Sequence, residues 1–116
     1  MIQHRYSNIV SQLLTKIPEF TESEREWNLD LPYDVFGSFA LFLCKQINQG
    51  ATEDLLNRAF SLLNEMALSE DKDVANLLVV AVLEVLADDD KCKSVSANYF
   101  SPECRSLLER VASGWD

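Results

Sequence analysis

The stretch over residues 73–87, DVANLLVVAVLEVLA, constrains this chain more than any other. It has the length of a helix and is apolar on nearly every side. A helix of that kind has to be surrounded by other helices. It is too short for a bilayer, which needs about 18 or more apolar residues in a row, and Glu84 interrupts it. Asn76, Val80 and Glu84 define one narrow strip that reaches water, and the other side chains of the stretch are expected to be buried. The segment reads as the central post of a small helical domain. A chain built this way, with no visible catalytic kit, is expected to bind rather than to react.

The rest of the composition fits. Hydrophobic residues make up 47% and charged ones 25% of the 116 residues, a globular profile for one domain with a real core. The net charge of −9, from 19 acids and 10 bases, argues against nucleic acid and against an anionic membrane surface. Acidity of this size aids solubility, and it also speeds encounter with a basic protein. The cysteines are Cys44, Cys92 and Cys104, an odd number with no CxxC pair, so neither a disulfide framework nor a zinc site is suggested. Cys44 and Cys104 fall on apolar helical stripes, and a Cys92–Cys104 bridge is conceivable. MIQHRYSNIV has no long apolar signal core, and the expected compartment is the reducing cytoplasm.

Reading along the chain gives five to six helices and no strand. Residues 2–17 place Ile2, Tyr6, Ile9, Val10, Leu13, Leu14 and Ile17 at helical spacing, and Pro18 stops the run. Residues 19–32 are polar and acidic around Phe20 and Trp27, with Thr21 or Ser23 as the cap of a short helix. The next helix starts at Pro32 and ends before Gly50, with a stripe of Phe36, Phe39, Leu43 and Ile47. Gly37, inside it, costs about 1 kcal/mol relative to alanine, which suggests close approach of another helix or a functional bend. Thr52 caps a helix with Leu56, Ala59, Phe60, Leu63 and Met66 on one face and an Asp54–Arg58 pair on the other. Asp71 or Asp73 caps the post. A loop then runs to Tyr99 and Phe100. Ser101-Pro102-Glu103 starts a last helix carrying Cys104, Leu107, Leu108, Val111, Ala112 and Trp115. The expected fold is all-α, a compact bundle or short HEAT/armadillo-like superhelix. It forms one domain over residues 1–116, with a helix and acidic segment over 1–30 and a core over 31–116.

Chemistry is sparse. His4 is the only histidine and sits near a terminus, so neither an HExxH metal site nor Ser–His activation is supported. Gly37, Gly50 and Gly114 are isolated and form no phosphate loop. A calcium loop starting at Asp88 would need glycine sixth and glutamate twelfth, but Lys93 and Tyr99 stand there. Asp88, Asp89 and Asp90 read as a solvated turn, partly neutralised by Lys91 and Lys93; acids that follow a helix C-terminus are slightly costly, which adds weight to a recognition role without placing it ahead of the turn. Glu84 reads as exposed rather than as a buried acid. No metal, cofactor or catalytic residue is expected. Trp27, Tyr33, Tyr99, Phe100 and Trp115 lie at segment ends or in loops, where aromatics serve as interface anchors or as lids on a small core.

The blocks LPYDVFGSFALFLCKQINQG, NEMALSEDKDVANLLVVAVLEVL and SPECRSLLERVASGW resemble a family of small bacterial helical proteins. These are encoded beside polymorphic toxins of the Rhs and contact-dependent inhibition type and are taken to be immunity proteins. The resemblance covers roughly residues 31–115 and rests on LPY-x-x-FG-x-F, on LLVV-x-x-LE-x-L and on the closing arginine–leucine–tryptophan pattern; residues before Leu31 do not share it. It implies non-catalytic binding of a cognate toxin domain, basic around its active site, as a monomer or in a 1:1 complex.

Three acidic groups are candidates for that contact: Glu70, Asp71 and Asp73; Asp88, Asp89 and Asp90; and Glu22 and Glu26 with Trp27. Tyr33 and Tyr99 are candidate aromatic anchors. The post sets the first two groups about 22 Å apart, too far for one small patch. The alternative reading is a helical adaptor in an unrelated assembly.

Overall fold

The computed structural model describes residues 6–23 and 31–113. Among them all regular structure is helical: α1 (Ile9–Lys16), α2 (Pro18–Ser23), α3 (Pro32–Asn48) and α4 (Glu53–Ala67). Next comes α5, one continuous helix that is α-helical over Lys72–Leu77, π-helical over Leu78–Leu83 and α-helical again over Glu84–Ala87. The series ends with α6 (Asp90–Tyr99) and α7 (Pro102–Ala112).

Local chemistry sets most boundaries. Pro32 and Pro102 occupy first helical turns, where a missing N–H costs nothing. Thr52 Oγ1 accepts from the Leu55 N–H at 3.3 Å, and Ser101 Oγ accepts from the Cys104 N–H at 3.3 Å. Gly50 follows α3 with φ of 81°, the left-handed turn that stops a helix.

Helix α5 is the post. Val74, Leu77, Leu78, Val82, Leu83 and Leu86 are wholly buried, while Asn76, Val80 and Glu84 are exposed, as the strip requires. Helices α3, α4, α6 and α7 all lie against it. They surround it instead of stacking in chain order, so the fold is a bundle and not a superhelix.

Several expectations are corrected. The turn over residues 6–8 precedes α1, which starts at Ile9, where the sequence suggests helix from Ile2; residues 1–5, with His4, lie outside the described set. Thr21 and Ser23 sit inside α2, which Pro18 starts. Phe20, read as part of a polar segment, is completely buried against Phe39 and Phe42, with ring centroids 5.5 Å away from each. The expected loop before Tyr99 is α6, so the described residues hold seven helices. Ala112, expected on a buried stripe, is exposed, and Trp115 lies outside the described set. All three cysteines are free; Cys92 packs against Cys44, not Cys104, with its Sγ 3.7 Å from the Cys44 carbonyl oxygen.

Gly37 is a further correction. Among the described residues, a Cβ added there would meet nothing within 4 Å, so no described helix approaches it closely. Its backbone is ordinary helix, since Gly50 is the described glycine with positive φ. Gly37→Ala is therefore expected to raise stability by about 0.5–1 kcal/mol. Urea unfolding checks it; a midpoint at or below wild type would contradict the open site.

The N-terminal helices are clamped to α4 by Arg58. Its Nη1 donates to Glu19 Oε1 at 2.9 Å and to the Lys16 carbonyl at 3.1 Å, its Nη2 donates to Glu19 Oε2, and its Nε donates to Asp54 at 3.0 Å. This two-pronged guanidinium bond holds the Glu19 carboxyl down at about 2. A carboxyl lowered in the folded state adds stability that is complete above its unfolded value near 4.5 and is lost as pH falls toward 2. Both side chains remain partly exposed, so the contribution is modest and salt-screened. The melting temperature of wild type is expected to fall more steeply than that of Glu19→Gln as pH drops from 5 to 2 (about the span of the two values). Parallel curves would contradict the clamp.

Candidate functional site

The acidic candidates separate by their hydrogen bonds. Asp71 is structural: Oδ1 accepts the Asp73 N–H at 2.9 Å as the N-cap of α5, and Oδ2 accepts the Tyr6 N–H at 2.9 Å, tying the N-terminal turn to the post. Asp89 caps α6, accepting the Cys92 N–H at 3.0 Å, and that bond holds its carboxyl below the ordinary range. Asp90 occupies the first turn of α6. Asp89 and Asp90 therefore sit at the positive start of the next helix, where they are favourable. The cost that pointed to recognition remains only at Asp88, the C-cap of α5. Glu70, Asp73, Asp88 and Asp90 are exposed. Glu22 lies in α2 but its side chain is outside the described set, as are Glu26 and Trp27.

The aromatic candidates also part. Tyr99 is a lid: it stacks on Phe60 at 5.0 Å and 15°, beside Phe100, which meets the same ring edge-on at 5.1 Å. Tyr33 is exposed, and its hydroxyl accepts from Asn76 Nδ2. Tyr6 lies 6.3 Å from it, centroid to centroid. Burial, then the nearby Tyr33 and Asp73, raise the Tyr6 hydroxyl. Tyr33, Asn76 and Asp73 thus gather at the start of α5.

From there an open face runs along the molecule. Helices α3 and α5 lie side by side in the same direction: Tyr33 and Asn76 meet near their starts, while Cys44 and Asn48 near the end of α3 meet Cys92 just beyond α5. Along α3, Tyr33, Gly37 and Leu41 recur every four residues, so they share one side. Along α5, Asn76, Val80 and Glu84 do the same. In a regular α-helix that spacing drifts by about 40° per step. The wider π-helical turn around Val80 swings back and keeps the strip in line.

Leu41 is 63% exposed, Val80 45% and Leu31, just before α3, 49%. Helix α7 also lies against α5 but does not form a packed pair with α3. Asp34 and Asp73 stand at one end of this face and Glu84 and Asp88 toward the other, with Lys72 and Lys45 among them. The sequence marks the strip as solvated but gives Leu41 and Val80 no part as contacts. Their signal is two apolar residues on faces otherwise assigned to water.

Other chemistry is weak. Burial raises the Cys44 and Cys92 thiols, and it pushes Cys104 up to about 12, so all three stay protonated near neutrality. Among the described residues no group of three or more His, Cys, Asp or Glu side chains could hold a metal ion. No described helix is long and apolar enough to cross a membrane.

Fold and face together define an all-α domain built round a central helix that is left open along one strip. Residues 10–116 match the family described as "Domain of unknown function (DUF7674)", and the chain belongs to that family. No curated protein and no solved structure gives a significant match.

Proposed function

We propose that this chain neutralises a cognate bacterial toxin by direct, non-catalytic binding that blocks the toxin's active site or the access of its substrate. The observation that carries the reading is the open α3–α5 face. Large apolar side chains stand in water there, with two acids and a lysine at each end, an arrangement suited to a partner. The resemblance over residues 31–115 to immunity proteins encoded beside toxins supplies the class of partner. The net charge of −9 supports it further, because a toxin that holds nucleic acid or nucleotide phosphates carries a basic site. Opposite charges on the two surfaces then speed their encounter and fix their orientation.

Co-expression with the toxin encoded beside its gene tests the proposal. Cells making both are expected to grow, and cells making the toxin alone to arrest. Arrest in both cultures would sink the reading. Growth arrest combined with capture of a defined non-toxin partner would favour the adaptor role.

A further inference from the structure

We infer that the open α3–α5 face is a docking groove for a basic amphipathic helix of the partner, about four turns long; this rests on the binding reading above. Three independent observations carry it. The first is Gly37. A glycine inside a helix is destabilising, and this one has neither a positive φ nor a close neighbour to require it. Among the described residues no contact explains the missing side chain. On the open side of α3, between exposed Tyr33 and Leu41, it makes a notch that a partner side chain can enter.

The second observation is the shape of the apolar surface. Tyr33, Leu41 and Val80 are exposed along two parallel helices, and the π-helical turn holds the α5 strip straight. A ridge of apolar residues at helical spacing fits such a surface, as in other helix-in-groove complexes.

The third is charge. Asp34 and Asp73 outnumber Lys72 at one end, and Glu84 and Asp88 outnumber Lys45 at the other, so each end is acidic on balance. The separation of Asp73 and Asp88 along the helix, about 22 Å, matches a helix of about 15 residues. An apolar-faced helix with lysine or arginine at both ends meets both acidic groups at once. The two ends of the post are too distant for one small patch, yet they serve one elongated site.

A nitrogen-15-labelled full chain titrated with a synthetic helix of about 15 residues tests this. The helix carries leucine and alanine on one face and lysines at both ends; a control carries glutamates in place of the lysines. The lysine peptide is expected to give saturable shifts at the Gly37, Leu41, Val80 and Glu84 amides, and the glutamate peptide to bind about tenfold more weakly or less. Gly37→Leu, which fills the notch at an open helical position, is expected to bind the lysine peptide about tenfold more weakly with a thermal melt no lower than wild type. Shifts that are absent, or centred on α6, would overturn the groove. So would unchanged binding by Gly37→Leu. A wild-type dimer that Leu41→Lys converts to monomer would assign the face to a second copy and also overturn it. Cell protection without any peptide response removes the groove and leaves the toxin reading standing. Peptide response at the face without protection removes the toxin reading and leaves the groove.

Discussion

Replacing Phe39 with alanine is expected to destabilise the chain by about 3–5 kcal/mol, the cost of losing a buried aromatic ring and leaving a cavity. Phe39 is completely buried at the centre of an aromatic cluster. Phe20 meets it edge-on at 5.5 Å and 72°, Phe36 at 6.2 Å and 79°, and Phe42 lies nearly parallel at 6.3 Å and 26°. Phe20 comes from α2, so the cluster is also what joins the N-terminal helices to α3. A domain of this size has a total stability of about 5–15 kcal/mol, so the variant is expected to approach the unfolding threshold. Urea unfolding measures the loss directly. A loss under about 1 kcal/mol would mean that the ring is not packed as described.

The second large effect is expected at Asn64. Its side chain spans the corner between α6 and α7: Oδ1 accepts the Ser101 N–H at 2.8 Å, and Nδ2 donates to the Tyr99 carbonyl at 3.1 Å. Arg105 completes the corner by donating to the Ala97 carbonyl at 3.0 Å and the Phe100 carbonyl at 3.2 Å. Asn64→Ala strips partners from a backbone donor and a backbone acceptor that are partly withdrawn from water. The expected cost is about 2–3 kcal/mol. Hydrogen exchange adds a local reading: the Ser101 amide should lose protection while the Leu55 amide, capped by Thr52, keeps it. Equal protection of both amides in the variant would contradict the bridge.

These two sites show where sequence reading succeeds and where it stops. The post is legible because a run that is apolar on every side leaves few options, and the exposed strip follows from Asn76 and Glu84, the polar breaks four residues either side of Val80. Thr52, Ser101, Pro32, Pro102 and Gly50 are legible because caps and turns are local chemistry. Helix α6 is not, because its buried face is made of Cys92 and Ser96, with Val95 and Tyr99 beside them. A face of small polar and thiol side chains gives almost no hydrophobic period. The π-helical turn is hidden for the opposite reason: LVVAVL is apolar at every position, so no period can be read from it. Phe20 looks like a lone apolar residue among acids, and its partners Phe39 and Phe42 belong to another helix, beyond the reach of a local pattern. The Asp71 cap is legible as local chemistry, but its bond to the Tyr6 N–H and both bonds of Asn64 join residues distant along the chain, which no window on the sequence detects.

The same contrast reorders the candidate contacts. Asp71 and Asp89 are absorbed by helix capping, and Tyr99 by stacking on Phe60. Tyr33, Glu70, Asp73, Asp88 and Asp90 remain exposed, and Tyr33, Asp73 and Asp88 are joined by Leu41, Val80 and Glu84 along the face. Charge still matters here, but as the border of an apolar surface.

The most direct measurement is the association of the purified chain with an inactivated form of the toxin encoded beside its gene, followed by stopped flow across a salt series. A saturable 1:1 complex is expected, with an association rate that falls steeply as ionic strength rises and a dissociation rate that changes little. The absence of a complex at any salt concentration would contradict the account.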